Sequence, residues 1–350
     1  MRYLYVLLIL APVAIVAKYL HAPPLVVFAL ACLAILPLSG VLGHATEELA
    51  GHTGPTIGGL LNATLGNLAE LIIAALALRA GLVGLVKASI TGSILGNLLL
   101  VLGASQLAGG LKYKTQKFNP HLAGMSISLL VVTVIGLVVP AIFHAAHPDP
   151  ARERTVLMSE WVAGLLIIGY VLSLVYSMGT HRAAFGEGGD VAAGEAAPHW
   201  SLKKALLVLT AAAATIGWLS EILVGSMEAA VHSLGLSEVF VGLILVPIIG
   251  NAAEHSTAVM MAMKNRMDLA VQIAVGSSIQ VALLIAPILV FLGVLFGKPM
   301  DLAFSTMEVV AVGLAVGIAT VATLDAESNW LEGAFLLLTY AVLGVAFFFF

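Results

Sequence analysis

The chain predicts an all-α membrane protein of about eleven transmembrane helices. They form two inverted five-helix repeats behind one extra N-terminal helix. Three observations predict this. First, 61% of the 350 residues are hydrophobic, only 10% are charged, and the mean hydropathy is +1.08. An ordinary soluble domain carries about 25% charged residues. The apolar runs are about 20 residues long, which suits helices crossing a bilayer and not the alternating ten-residue strands of a barrel. Second, a short motif occurs twice, as Gly66-Asn67-Leu68-Ala69-Glu70 and Gly250-Asn251-Ala252-Ala253-Glu254, and 250 − 66 = 184. The same offset pairs Gly92-Ser93 with Gly276-Ser277, since 276 − 92 = 184. A gap-free register across two motifs argues for duplication. Third, the stretch from Gly179 to Ser201 is polar and rich in Gly and Ala, and it separates two equal sets of spans.

Taken in order, the spans fall near 3–20, 24–43, 56–79, 84–109, 120–143, 157–178, 204–231, 237–263, 269–297, 302–323 and 330–349. Residues 3–20 lack a following A-x-A cleavage pattern, so they read as a retained first span. Residues 1–21 are the extra helix, 22–178 the first repeat, 179–201 a flexible linker and 202–350 the second repeat. Five spans per half is an odd number. Homologous halves must then enter the membrane from opposite sides, an arrangement common in secondary transporters. Nine Lys and Arg collect on the side of the N-terminus and six, Lys87 among them, on the other. By the positive-inside rule this places the N-terminus and the linker in the cytoplasm of a plasma-membrane protein.

The net charge of −4 and the absence of a basic block give no footprint for nucleic acid. The expected partners are ions and the lipid bilayer. Cys32 is the single cysteine, which excludes an intrachain disulfide framework, and it reads as a small core residue. The chain has no H-E-x-x-H, G-x-S-x-G or P-loop signature, so an enzyme is not expected and no cofactor is implied. In the linker, Glu187, Asp190 and Glu195 are too sparse for an EF-hand.

The chemistry rests on Glu70 and Glu254, each in the middle of an expected span. A carboxylate at that depth costs roughly 2.5 kcal/mol or more on insertion scales, so it calls for a function and a partner. Gly66, Asn67, Gly250 and Asn251 weaken the helix just before each acid. Pro247 removes a further backbone donor. A broken helix frees carbonyl oxygens that can ligate a cation. Two carboxylates with carbonyl, amide and hydroxyl oxygens make a hard-oxygen site suited to Ca²⁺. Without the ion, two like charges face each other and take up protons instead. Mutually exclusive occupancy by a divalent cation or protons is the physical requirement for exchange. The alternative is that each Glu is structural, bonded to nearby backbone. Ser93, Asn97, Ser277 and Gln280 can complete the shell, or can serve helix packing. Asn62 lies near the break, and His255 is a candidate proton relay. His44, Glu47, Glu48, Glu221 and Glu228 are candidates for an entry vestibule. Glu47 and Glu48 read equally well as solvated residues at a helix end, whereas Glu221 is expected to lie deep.

These stretches resemble the Ca²⁺/H⁺ exchangers, the CAX branch of the Ca²⁺:cation antiporter superfamily. The carrying residues are GHATEELAGHTG from Gly43, LLNATLGNLAELIIA from Leu60, SITGSILGNLLLVLG from Ser89, GNAAEHSTAVMMAMKNRMD from Gly250 and GSSIQVALLIAP from Gly276. The resemblance implies that each first motif helix breaks at its Gly-Asn. It implies that Glu70 and Glu254 form the central Ca²⁺ site and exchange protons, and that Ca²⁺ export is driven by inward proton flow. Leu68 and Ala69 depart from the usual Ala-Thr/Val, which removes a possible hydroxyl. Val281 stands where Na⁺-coupled relatives carry a polar or acidic group, which argues against Na⁺ coupling. A Na⁺- or K⁺-coupled exchanger on the same fold and a Ca²⁺-permeable channel are the rival readings.

Overall fold

A computed structural model of the protein describes residues 4–147, 152–181 and 198–349. Most of the expected linker, with Glu187, Asp190 and Glu195, lies outside the described residues. The described chain is nearly all helical. A 3₁₀ turn, Leu4–Ile9, leads into α1 (Leu10–Tyr19), α2 (Pro24–Gly51), α3 (Gly54–Leu65) and α4 (Leu68–Arg79). Next come α5 (Val83–Leu95), a π-helical segment Gly96–Val101, α6 (Leu102–Tyr113), strand β1 (Thr115–Lys117), α7 (Pro120–Ala146) and α8 (Glu153–Leu174) with a π-helical end, Val175–Thr180. The second half holds α9 (Leu202–Leu234), α10 (Glu238–Phe240), a π segment Val241–Leu245, α11 (Val246–Met263) and α12 (Met267–Gln280). A further π segment, Val281–Ile285, is followed by α13 (Ala286–Leu295), α14 (Thr306–Val321), β2 (Glu327–Asn329) and α15 (Trp330–Phe348).

Among the described residues, seven continuous helices are long and apolar enough to cross a membrane. They are Pro24–Gly51, Val83–Tyr113, Pro120–Ala146, Glu153–Thr180, Leu202–Leu234, Met267–Leu295 and Trp330–Phe348. An eighth appears if Glu238–Ala252 and Glu254–Met263, bent against one another, count as one span. The other expected spans fall on shorter pieces. Val6–Tyr19 and Thr306–Val321 are apolar but short, and the span expected at 56–79 is split into α3 and α4.

The helix starts follow from local sequence. Asn119 accepts hydrogen bonds from the N–H groups of His121 (2.8 Å) and Leu122 (3.4 Å), with Pro120 at the first helical position of α7. Ser201 caps α9 by accepting from Lys204 N–H at 3.3 Å, and Gly235 ends it in a left-handed conformation (φ 65°). Reciprocal capping boxes open α14 (Ser305 with Glu308) and α15 (Asn329 with Glu332). These caps satisfy terminal N–H groups that have no intrahelical acceptor.

The described residues form two compact units, and each draws on both sequence halves. One comprises residues 4–89 and 198–253, the other 90–147, 152–181 and 254–349. In the first, α2 packs along α9, with α1 and α3 against α2 and α4 against α9. In the second, α6 packs on α15, α8 on α13 and α7 on α14. The α6–α15 seam is built on glycine. A Cβ at Gly333 would run into the Leu107 N–H and the Gly103 carbonyl, and one at Gly110 into the backbone of Trp330. Lipid is as apolar as leucine, so membrane helices associate by close packing of this kind. Val83–Tyr113 is the most enclosed span, with 94% of its apolar window buried, against 17% for Glu153–Thr180. Large apolar side chains such as Trp161 and Leu295 face outward, as lipid contact requires.

Three features differ from the sequence expectation. A two-stranded antiparallel pair, β1 with β2, joins the ends of α6 and α15, with Gln116 opposite Ser328 and a 2.8 Å ion pair from Lys117 to Glu327. That neighbour holds the Lys117 ammonium above its ordinary range. Lys87, counted above as a flank residue, lies within α5 and is buried. Glu221, expected to be deep, is exposed with Glu228 on the outer face of α9. The buried face of that helix runs through Leu219, Ile222, Leu223, Ser226 and Met227, and positions 221 and 228 fall outside it.

The glycine seam carries a test. Gly333→Ala adds a methyl group against backbone and is expected to cost about 1–3 kcal/mol by overpacking. Gly344→Ala, on the same helix with open space beside it, is the control. Thermal unfolding in detergent should show a lowered midpoint for the first variant and little change for the second.

Candidate functional site

The first motif helix breaks where expected. α3 stops at Leu65, where Gly66 N–H closes its last turn on the Asn62 carbonyl at 2.9 Å. Asn67 then opens α4, its carbonyl accepting from Leu71 N–H at 3.0 Å. Gly lacks the entropy advantage of other helix formers, and Asn competes for backbone hydrogen bonds. The break places Glu70 in the first turn of α4. That position is the positive end of a helix dipole, which stabilises negative charge. Asn67 and Glu70 are both buried, the latter with 5% of its surface exposed.

The second motif is built differently. α11 runs as helix through Gly250 and Asn251, and the bend falls just after them, between Ala252 and Glu254. Pro247 explains part of this. It follows the π segment Val241–Leu245, whose widened turn accommodates the missing proline donor. Asn251 is buried, and a Cβ at Gly250 would meet nothing within 4 Å, so Gly250 is not needed for close packing. Glu254 and His255 are each half-buried. In Glu70 and Glu254 alike, one carboxylate oxygen, Oε2, is buried without a hydrogen bond, while each residue keeps other polar interactions. The His255 Nε2 is also buried without a hydrogen bond.

The companion helices bring two candidates together. Asn97 Nδ2 donates to Ser277 Oγ at 3.1 Å, joining the two repeats within the second unit. Their exposures are 1% and 6%. Ser93 and Gln280 are buried in the same unit. Gly66, Asn67, Glu70, Gly250 and Asn251 belong to the first unit, whereas Glu254 and His255 belong to the second.

Several features escaped the sequence reading. Gly96–Val101 and Val281–Ile285 are π-helical and lie at nearly matching points of the two repeats: their ends match, since 101 + 184 = 285, and their starts differ by one residue, since 96 + 184 = 280. π turns are rare and concentrate at functional positions. The first contains Asn97, and the second begins immediately after Gln280. A signal existed for two of the four π segments among the described residues: Pro247 and Pro287 each stand two residues beyond a segment's end. Thr91, fully buried in the motif of α5, donates to Glu308 Oε1 at 3.3 Å, and Glu308 is itself a buried acid. Glu48 is buried and hydrogen-bonded, while Glu47 remains exposed, so the solvated reading holds for only one of the pair. Among the described residues, no group of three or more His, Cys, Asp or Glu is disposed to hold a metal.

Comparison with known proteins places this geometry in a family. The model of the family described as "Sodium/calcium exchanger protein" matches residues 23–179 and 204–349, one block in each half. A "Ca(2+)/H(+) antiporter" of Aphanothece halophytica is 46% identical over 358 residues, covering 98% of this chain and 95% of the relative. The solved "Structure of native YfkE" superposes with a TM-score of 0.86 at 39% identity, covering 99% of each chain. The "Crystal Structure of H+/Ca2+ Exchanger CAX" shares the fold, with a TM-score of 0.77 at 15% identity over 99% of this chain and 91% of that one. With both halves matched and near-complete relatives on each comparison, the chain belongs to the sodium/calcium exchanger protein family.

Proposed function

We propose that the chain is a secondary active antiporter that exchanges Ca²⁺ for H⁺ across the plasma membrane by alternating access. One observation carries the reading: the same acid-bearing motif, 184 residues apart, sits at a helix break or bend in both halves of a chain 46% identical to a named Ca²⁺/H⁺ antiporter. Glu70 and Glu254 are the two acids that hold the cation when ionised. Two carboxylates neutralise one Ca²⁺; once it leaves, their mutual repulsion favours protons in its place. Asn67, Asn251, Ser93, Asn97, Ser277 and Gln280, with the carbonyls of Gly66 and Gly250, are the neutral oxygen donors. His255 serves as a proton relay beside Glu254. No cofactor and no catalytic step enter the cycle; Ca²⁺ and H⁺ are substrates.

The topology proposed is eleven spans. The seven long helices and the bent pair of the eighth are joined by α1, by the broken α3–α4 span and by α14. Residues 22–178 and 202–350 are the inverted repeats, and 179–201 is a cytoplasmic linker. Antiparallel packing of α2 and α9 supports the inversion. The two helices occupy matching places in the repeats, and the last turns of α2 lie against the chain just before α9.

The test is ΔpH-driven ⁴⁵Ca²⁺ uptake into everted vesicles. Glu70→Gln and Glu254→Gln should each reduce uptake to the level of empty vesicles while the protein still inserts. Robust uptake by either variant would overturn the site. Replacing ΔpH with a Na⁺ gradient should drive no uptake; if it does, the coupling ion is Na⁺. Ser277→Ala removes the acceptor of the Asn97 amide and one candidate ligand. A loss of about 1 kcal/mol, roughly fivefold in half-saturating Ca²⁺, is expected from a single hydrogen bond of this kind.

A further inference from the structure

The end of α2 and the start of α9 are fastened by side chains the transport reading does not use. His44 and Glu48 are four apart on α2 and share one face, and His52 follows four further on, just past the helix end. Glu48, 5% exposed, accepts the backbone N–H of Trp200 through Oε2 at 2.9 Å. His52 Nε2 lies 2.7 Å from the Trp200 carbonyl. A carbonyl only accepts, so that nitrogen carries the proton. Both backbone polar groups of Trp200 are thus held by α2. The His44 ring meets the indole edge-on with centroids 4.9 Å apart, and Lys204 Nζ stands 4.3 Å from the indole centroid. Gly51 lies against the strap, where a Cβ would make ordinary contact with the Pro198 ring, 3.4 Å from its Cβ. Ser201 then caps α9 directly.

His44 lies between two acids. Its Nδ1 is 3.5 Å from Glu47 Oε2 and its Nε2 is 3.8 Å from Glu48 Oε1. A neutral imidazole has one N–H and one lone pair, so one nitrogen would present a lone pair to an anion. Only the imidazolium presents N–H to both. Lys204, on the indole, opposes added positive charge here, with Lys203 beside it on α9 and exposed His199 in the strap. α3, which packs on α2, has no ionisable side chain, and Lys18 of α1 lies at the opposite end of α2.

We infer that Pro198–Ser201 is a proton-tightened clasp, which joins the start of α9 to the end of α2 most firmly when His44 is an imidazolium. Because α2 and α9 pack along each other, the acidity at that face sets how tightly their ends are tied. This goes beyond the exchange reading and holds whichever ion the protein carries. Its test is the full chain with Trp200 as sole tryptophan (Trp161→Phe, Trp218→Phe, Trp330→Phe), in lipid nanodiscs. Acrylamide quenching is followed from about pH 5 to 8, the interval in which histidine changes charge. Trp200 should become more shielded towards acid. That step should vanish in His44→Gln, and also in Glu48→Gln, which keeps an acceptor for Trp200 N–H but removes the charge. No step in the parent, or an unchanged step in His44→Gln, overturns the clasp. A second arm places Gly51→Cys and Pro198→Cys in a Cys32→Ala background. The disulfide should form on oxidation and abolish the pH step; failure to form, or a step that survives the closed bond, also overturns it.

Discussion

Lipid provides no hydrogen-bond partners, and this one constraint governs where the chain can depart from a helix. Three departures show how the backbone is compensated. The gap at Gly66-Asn67 is bridged by turns closing on Asn62 and Asn67. The turn from α11 to α12 leaves carbonyls at Ala262 and Met263. Gln116 Nε2 bonds the first at 2.9 Å, while Lys112 Nζ and Tyr113 OH bond the second at 2.8 and 3.2 Å. The loop before α14 is held by Asp301, which pairs with Arg152 at 2.8 Å and accepts from Ala303 N–H at 2.9 Å. Irregular backbone therefore collects where polar side chains already are. The acid-bearing motifs, the wide helical turns and the Asn97–Ser277 pair belong to the same set of exceptions.

The rest of the structure obeys the opposite economy. Where helices simply pack, as along α6 and α15, side chains shrink to nothing and backbones touch. At Gly333 and Gly110 such a seam leaves no room for a methyl group. Rigid seams of this kind and polar interruptions of the kind above divide the labour. The first keeps a helix pair fixed, and the second gives a helix a place to change direction. Both compact units contain interruptions, which suits a protein proposed to open alternately to two sides.

Much of this was legible in the sequence because membrane helices are written in composition and the repeat in spacing. The break before Glu70 followed from Gly and Asn, whose helix penalties are local. The Asn97–Ser277 hydrogen bond was not legible: the sequence offers each as a shell donor or a packing residue, and only the fold brings the two helices together. What failed was anything set by helix phase. Glu221 was judged by its apolar neighbours in sequence, yet its neighbours in space are decided by rotation about α9, which turns it outward. Glu48 and Glu47 are adjacent and alike, and one is buried because a distant segment, Trp200, supplies its donor. The three-residue strand pair is too short to leave a periodic trace. The bend in the second motif fell after Gly250-Asn251 because Pro247 and its widened turn altered the helix upstream.

A π turn is, in effect, one surplus residue slipped into a regular helix. That surplus lies within Gly96–Val101 and again within Val281–Ile285, two segments whose ends share the 184-residue register. The insertion is inherited more simply from a half-length forebear than acquired twice. That forebear carried one motif and one wide turn, and in the inverted arrangement proposed above its two copies cross the bilayer in opposite senses.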